Sequence, residues 1–298
     1  MNEGKKRGRP KAFHSKQEAV AALILDRIFR HDPEMGGVFT ETTGMQGIGK
    51  TNAILTFLHD TIINYPKEKN FWRNPYFAPL QFTKLPSKNM WEILIEEDAK
   101  VQFYDRNTLE PVDLKYKTFN GFDDLYDKAT PGRCTAVFFN DEMKWVDFLH
   151  YQRSIGEFTH NYLDEYGELF PSNARGRLWR KIYEAAEDLK EVRKCFIDVH
   201  ATTQSVTDVD WRVRSKIMIH IYFFGARPDR RSRVRQDAID RLSVDPVHGN
   251  EAWVEMGYGI FGKMRFKKVY KPRMDMNWEA RLPDGAPRIS DYLEMEKT

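Results

Sequence analysis

Apolar positions recur along this chain in two alternating periods, one close to the helical repeat and one in short continuous runs. Behind Ser15, a residue type whose hydroxyl caps helix starts, the segment Gln17–Phe29 repeats at helical spacing and predicts an amphipathic helix. Gly37–Glu41 predicts a short strand and Asn52–Asp60 a helix. Lys67–Pro86, rich in proline and aromatics, predicts an irregular connection before a strand at Asn89–Glu96. Phe119, Phe122, Leu125 and Tyr126 place a helix within Tyr116–Lys128, and the unbroken apolar run Thr135–Phe139 reads as a buried parallel strand. Lys144–Tyr166, aromatic and mixed in charge, is expected to be helical. So is Leu178–Arg193, with Leu178, Ile182, Ala185, Ala186 and Leu189 on one face. Strands follow at Cys195–Thr203 and Lys216–Phe224, and the glycines and aromatics of Trp253–Gly262, leading into Lys263–Arg273, suggest a hairpin. Strands alternating with helices imply an α/β fold: a mainly parallel central sheet flanked by helices.

Composition narrows this picture in a few places. A chain of 298 residues that is 41% hydrophobic can bury a sizeable core as one large or two modest domains. No run approaches the roughly 20 apolar residues of a membrane span, and the N-terminus lacks a signal-peptide core, so a soluble, cytoplasmic protein without a membrane span is expected. Cys134 and Cys195, each at the entrance to an apolar run, are too few for a disulfide framework or zinc site and read as reduced, buried thiols. The net charge of +3 is small, but its distribution is uneven. Residues 1–14 form a basic stretch without apolar periodicity, expected to be a disordered tail. Its Arg7-Gly8-Arg9-Pro10 resembles the core of an AT-hook, in which slim extended backbone carries arginines into a narrow minor groove. Arg7, Arg9 and Lys11 are therefore candidate DNA contacts. Arginines gather again at Arg227–Arg235. The expected organisation is tail 1–14, a core 15–226, and a basic extension 227–298 whose hairpin packs on the core.

The chemistry concentrates at Gly44-Met45-Gln46-Gly47-Ile48-Gly49-Lys50-Thr51, a G-x-x-x-x-G-K-T pattern between a predicted strand and a predicted helix. Such a loop curls backbone N–H groups around phosphate oxygens; Lys50 reaches the β- and γ-phosphates, the Thr51 hydroxyl sits on Mg²⁺, and the residues from Gly44 to Asn52, which opens the helix, are the expected nucleotide contacts. ATP and Mg²⁺ are thus the expected cofactors. The strand Thr135–Phe139 ends in Asn140-Asp141-Glu142, which looks like a Walker B strand: Asp141 as metal ligand, Glu142 as the base that polarises the attacking water. Arg175 and Arg177 stand at a helix start, where the dipole gives a cation no reason to be, and are candidates for a finger reaching a neighbouring subunit's γ-phosphate. Gln204, at the mouth of the strand Cys195–Thr203, is a candidate sensor of the γ-phosphate.

Taken together, the phosphate loop, the strand Val137–Glu142, and His200-Ala201-Thr202-Thr203-Gln204 with the segment through Val209 and Arg212–Ile221 resemble the FtsK/HerA superfamily of DNA-translocating ATPases. The resemblance covers roughly Phe39 to Phe224. It implies a RecA-like ATPase core assembling as a homo-oligomeric ring, usually a hexamer, around double-stranded DNA. By the same likeness Lys50 and Thr51 bind phosphate and Mg²⁺, Asp141 supports the ion, Glu142 is the base and Gln204 the sensor. A viral or plasmid translocase, including one that packages a genome, suits the small size and the tail. Two other readings stay open at this point: a P-loop kinase for a small molecule, and a DNA-binding adaptor that uses nucleotide only as an assembly signal.

Overall fold

A computed structural model describes residues 15–32, 34–73, 80–82, 90–105, 108–257, 259–272 and 278–281; the candidate DNA contacts Arg7, Arg9 and Lys11 lie outside the described residues. Along the chain run α1 (Lys16–Phe29), β1 (Phe39–Thr43), α2 (Lys50–Asn64), β2 (Lys69–Arg73), β3 (Leu80–Phe82), β4 (Trp91–Glu96), β5 (Gln102–Asp105) and β6 (Lys117–Phe119). Then come α3 (Gly121–Lys128), β7 (Cys134–Phe138), α4 (Lys144–Gln152), β8 (Thr159–Leu163), α5 (Gly176–Glu191), β9 (Ile197–Thr203), α6 (Trp211–Arg214) and β10 (Ile219–Phe223). The chain closes with α7 (Gln236–Ile239), β11 (Asn250–Met256), β12 (Ile260–Phe266), β13 (Tyr270–Pro272) and β14 (Trp278–Arg281).

Ten strands form the main sheet in the order β12-β11-β10-β1-β9-β8-β2-β7-β4-β6. From β10 to β6 every pairing is parallel, while β11 and β12 add an antiparallel hairpin at the other edge. The fold is therefore the α/β class expected from the alternation of elements. Successive strand residues point to opposite faces, and the core divides accordingly. Trp72, Ile93, Ala136, Phe138 and Tyr162 pack with α1 and α2 on one face. Phe71, Leu94, Val137, Leu163, Val199 and Ala201 pack with α4 and α5 on the other. Among the described residues no helix is long and apolar enough to cross a membrane. Cys134 is buried in β7 and Cys195 is half-buried ahead of β9; both are free thiols.

Three segments depart from the sequence reading. Lys67–Pro86, expected to be an irregular connection, contains the short strand β3 and, in the middle of the main sheet between β8 and β7, the buried strand β2. The helix expected within Tyr116–Lys128 begins only at Gly121, whose φ of +79° suits glycine, and Lys117–Phe119 is a strand. More consequentially, the helix expected over Lys144–Tyr166 ends at Gln152, and Thr159–Leu163 is a fully buried strand in the middle of the sheet. Its polar first half is made buriable by hydrogen bonds from the end of α4: Gln152 Nε2 to Asn161 Oδ1 (2.9 Å), Asn161 Nδ2 to Gln152 Oε1 (2.7 Å) and Thr159 Oγ1 to Gln152 Oε1 (3.2 Å).

Helix α1 lies directly on the hairpin. A Cβ built at Gly262 of β12 would stand 2.2 Å from the Gln17 carbonyl oxygen and 2.4 Å from the Ala21 nitrogen. Backbone cannot yield as a flexible side chain would, so Gly262→Ala must push α1 off the sheet. The expected result is a loss of about 1–3 kcal/mol in a urea unfolding curve.

Candidate active site

The phosphate loop leaves β1 at Gly44 and enters α2 at Lys50. Gly49 caps the helix in the left-handed region (φ +98°), a backbone state that only glycine adopts without strain, and so lets the loop turn sharply onto the helix axis. From the hairpin, Asn250 Nδ2 donates to the Ile48 carbonyl (2.5 Å) and fixes the loop from one side. Lys50 is buried, and its ammonium donates to the carbonyls of Gly44 and Met45 at 3.1 Å each. Burial pushes its pKa down, against the opposing pull of Glu165 and Asp164. The arrangement is a cation short of anionic partners at the place where phosphates would lie. Asn52, expected to touch nucleotide, instead commits its side chain to the C-terminal segment: its amide donates to the Lys267 carbonyl (3.1 Å) and accepts from the Val269 N–H (3.0 Å).

The carboxylates beside the loop are not those expected. Asp141 and Glu142 follow β7, which stands four positions from β1 in the sheet, roughly 19 Å away at the usual strand spacing. Asp141 accepts from the Met143 N–H (2.9 Å) and borders a small cavity with Arg177 and Lys181. Glu142 pairs with Arg73 (3.2 Å). Next to β1 comes β9 and then β8, and it is β8 that ends in Asp164-Glu165 at the loop. The Thr51 hydroxyl donates to Asp164 Oδ2 (3.4 Å), and the Thr202 hydroxyl donates to Asp164 Oδ1. Thr202 also accepts the Glu165 N–H (3.0 Å), holding Glu165 at a φ of +50°, uncommon for a residue with a side chain. Gln204 Nε2 donates to Glu165 Oε1 (3.4 Å). Burial raises the pKa of both acids, with Lys50 opposing it in each case. Arg73 joins the two acid pairs: one guanidinium nitrogen donates to the Asp164 carbonyl (3.0 Å) while the other meets Glu142.

Of the sequence-derived candidates, the structure brings together Lys50, Thr51 and Gln204, and adds Asp164, Glu165, Thr202, Arg73 and Asn250. Arg175 and Arg177 are exposed at the start of α5. Just before them, Ser172 and Asn173 line an open cleft with Glu165, Glu168, Gln204 and Asp208. A second recess, on the other side of the loop, is walled by Gly47, Gly49, Asn52, Phe223, Pro246 and Asn250. The donor set Thr51 Oγ1 and Asp164 carboxylate fits Mg²⁺, which takes hard oxygen ligands from one or two side chains together with phosphate oxygens and water. A buried carboxylate resisting ionisation is what such an ion would neutralise.

No family model matches the chain, and no curated protein matches it. Solved structures similar to it include the genome packaging NTPase B204 from Sulfolobus turreted icosahedral virus 2 in complex with ATPγS, at 12% identity and a TM-score of 0.44, covering 78% of this chain and 98% of that one. The bacterial conjugative coupling protein TrwB is similar at 12% identity and a TM-score of 0.47, covering 82% and 92%. The N-terminal domain of zonular occludens toxin from Neisseria meningitidis is similar at 12% identity and a TM-score of 0.36, covering 81% and 99%.

Proposed function

We propose that this chain is an ATPase that hydrolyses ATP with Mg²⁺ and spends the energy on moving double-stranded DNA through a homo-oligomeric ring. The observation that carries the ATPase reading is the convergence of Lys50-Thr51, Asp164-Glu165 and Gln204 at the C-terminal ends of the three adjacent parallel strands β1, β8 and β9. Crevices at the carboxyl ends of parallel strands are where open α/β sheets bind ligands.

In this reading the loop amides and Lys50 hold the β- and γ-phosphates, and the recess beside Asn250 takes the base end. Thr51 and Asp164 would hold Mg²⁺, which when bound offsets charge on the phosphate oxygens. Glu165 takes a proton from water as its oxygen bonds to the γ-phosphorus, and the bond to the bridging oxygen breaks to release ADP. Gln204, bonded to Glu165, moves when the γ-phosphate leaves and passes that change to the cleft beyond. The cleft is acidic on its outer side through Glu165, Glu168 and Asp208. That charge suits an arginine supplied by a neighbouring subunit, with Arg175 or Arg177 as the donor from the equivalent helix start. The DNA partner rests on the basic tail with Arg7, Arg9 and Lys11 and on the order of motifs shared with DNA translocases.

Phosphate release by the full chain, measured with and without duplex DNA, tests both parts. Turnover stimulated several-fold by duplex, with the stimulation fading as salt rises, is the expected result. A rate indifferent to DNA removes the translocase reading and leaves an ATPase. Transfer of phosphate to a small molecule by a monomer replaces both with a kinase.

A further inference from the structure

A second polar cluster sits at the opposite end of the same sheet, where the parallel strands begin. His160 is the second residue of β8, Asp198 the second of β9, Glu68 precedes β2, and His31 lies in the connection from α1 to β1. Nothing in the ATPase chemistry uses them. All four are withdrawn from water, with side-chain exposures of 4% for His31, 18% for Glu68, 0% for His160 and 2% for Asp198.

Their geometry is directional. One Glu68 oxygen, Oε2, lies 2.7 Å from His160 Nε2 in a hydrogen bond and 2.6 Å from His31 Nδ1, the latter without good alignment. Glu68 therefore faces one nitrogen of each ring, which leaves the other nitrogen of each ring turned towards Asp198. There, His160 Nδ1 stands 3.0 Å and His31 Nε2 3.6 Å from Asp198 Oδ2. The other Asp198 oxygen is occupied by the Val38 N–H (2.7 Å), which fixes the carboxylate plane and aims Oδ2 at the rings. Neither Asp198 Oδ2 nor His160 Nδ1 has an aligned hydrogen-bond partner among the described residues, although both are buried. They face each other at ion-pair distance but out of alignment, an arrangement that a cation seated beside both atoms would satisfy. The rings are also locked: His31 stacks between Tyr65 (3.8 Å) and Phe158 (5.0 Å) and lies 4.7 Å from the His160 ring.

We propose that His31, His160 and Asp198 are the ligands of a structural zinc ion, with Glu68 as the residue that orients both imidazoles. One donor atom from each of the three lies within 4.8 Å of the others. Donors about 2 Å from a tetrahedral zinc stand about 3.3 Å apart, and the 3.0 and 3.6 Å separations bracket that value. Two nitrogens and one oxygen suit zinc better than Mg²⁺ or Ca²⁺, which prefer oxygen. A carboxylate on the far nitrogen of each ligating histidine is the usual device for fixing tautomer and raising basicity. The ion would tie together the α1–β1 connection and the starts of β8 and β9, the two strands whose other ends carry Asp164, Glu165 and Gln204.

The full chain, free of any polyhistidine tag, stripped with EDTA and kept without nucleotide, is titrated with Zn²⁺ and separately with Co²⁺. The expected result is one tight equivalent per chain, Co²⁺ bands of a four-coordinate site in which water completes the three protein ligands, displaced by Zn²⁺, and a thermal midpoint several degrees higher with zinc. Asp164→Asn keeps that equivalent, which separates it from any ion at the phosphate loop. Glu68→Gln retains the spectrum but lowers affinity about 10–100-fold, and His160→Ala loses the equivalent. A wild-type chain that takes up no stoichiometric metal, and whose midpoint is indifferent to zinc and EDTA, overturns the proposal and leaves a proton shared between ring and carboxylate. That readout needs no variant to fold.

Discussion

Glu165→Gln is expected to cut ATP turnover by about 10²–10⁴-fold, the usual worth of a positioned general base, while nucleotide affinity stays within a few-fold. Glutamine keeps the size of the side chain and its capacity to accept from Gln204 Nε2, which stands 3.4 Å from Glu165 Oε1, so the cleft should keep its shape. What disappears is the carboxylate that accepts a proton. The paired control is Glu142→Gln. Glu142 touches Arg73, and Arg73 hydrogen-bonds Asp164 and Glu165 through their backbone carbonyls alone, so this variant acts at one remove and should cost less than about tenfold. Single-turnover phosphate release beside equilibrium binding of a fluorescent ATP analogue makes the comparison. Equal losses in the two variants, or a larger one at Glu142, would return the catalytic role to the strand that the sequence alone favours.

Why the sequence favoured the strand farther from the loop is a physical matter. The phosphate loop is legible because its chemistry is contiguous: eight successive residues carry the turn, the lysine and the hydroxyl. Gln204 is legible because it directly follows a strand, Ile197–Thr203, whose alternate residues Ile197, Val199 and Ala201 are apolar. The acid pair depends on two facts that no local pattern contains. The first is strand order: an Asp-Glu at a strand's end serves the nucleotide only if that strand lies near β1, and β7 lies four places away whereas β8 lies two. The second is how a strand becomes buriable. Thr135–Phe139 announces itself by apolar residues, while Thr159-His160-Asn161 is buried through polar partners: Gln152 at the end of the preceding helix, and Glu68 and Asp198, distant in sequence, at the starts of the two flanking strands. Polarity read as exposure therefore turned the central strand β8 into the tail of a helix. The reading of fold class survived because the main-sheet strands that were missed, β2, β6 and β8, sit among others that were read, β1, β4, β7, β9 and β10, and those still alternate with helices.

Asp164→Asn should separate function from stability in opposite directions. Burial raises the Asp164 pKa, and hydrogen bonds from Thr202 and Thr51 and the charge of Lys50 only partly offset that. For a carboxyl whose folded pKa lies above its unfolded value, ionisation is harder in the folded chain than in the unfolded one. Its contribution is then unfavourable above the folded pKa and vanishes as pH falls below the unfolded one. Asparagine removes the charge and retains a carbonyl oxygen for one of the two hydroxyls. The free variant is expected to melt at or above the wild-type temperature at neutral pH, and to lose the decline in stability that wild type shows as pH rises through the Asp164 titration. Turnover moves the other way. Losing the carboxylate that would hold the metal removes charge stabilisation worth several kcal/mol, so hydrolysis should fall by at least about 10²-fold, and Mg²⁺ should no longer add to the thermal shift produced by ATP. Charge kept at the end of a buried strand, at a cost to the resting fold, is a signature of a site shaped for its ligand. Should the variant instead melt well below wild type while Mg²⁺ still deepens the ATP-induced shift, Asp164 would be a structural acid and the metal would have to be held elsewhere along the loop.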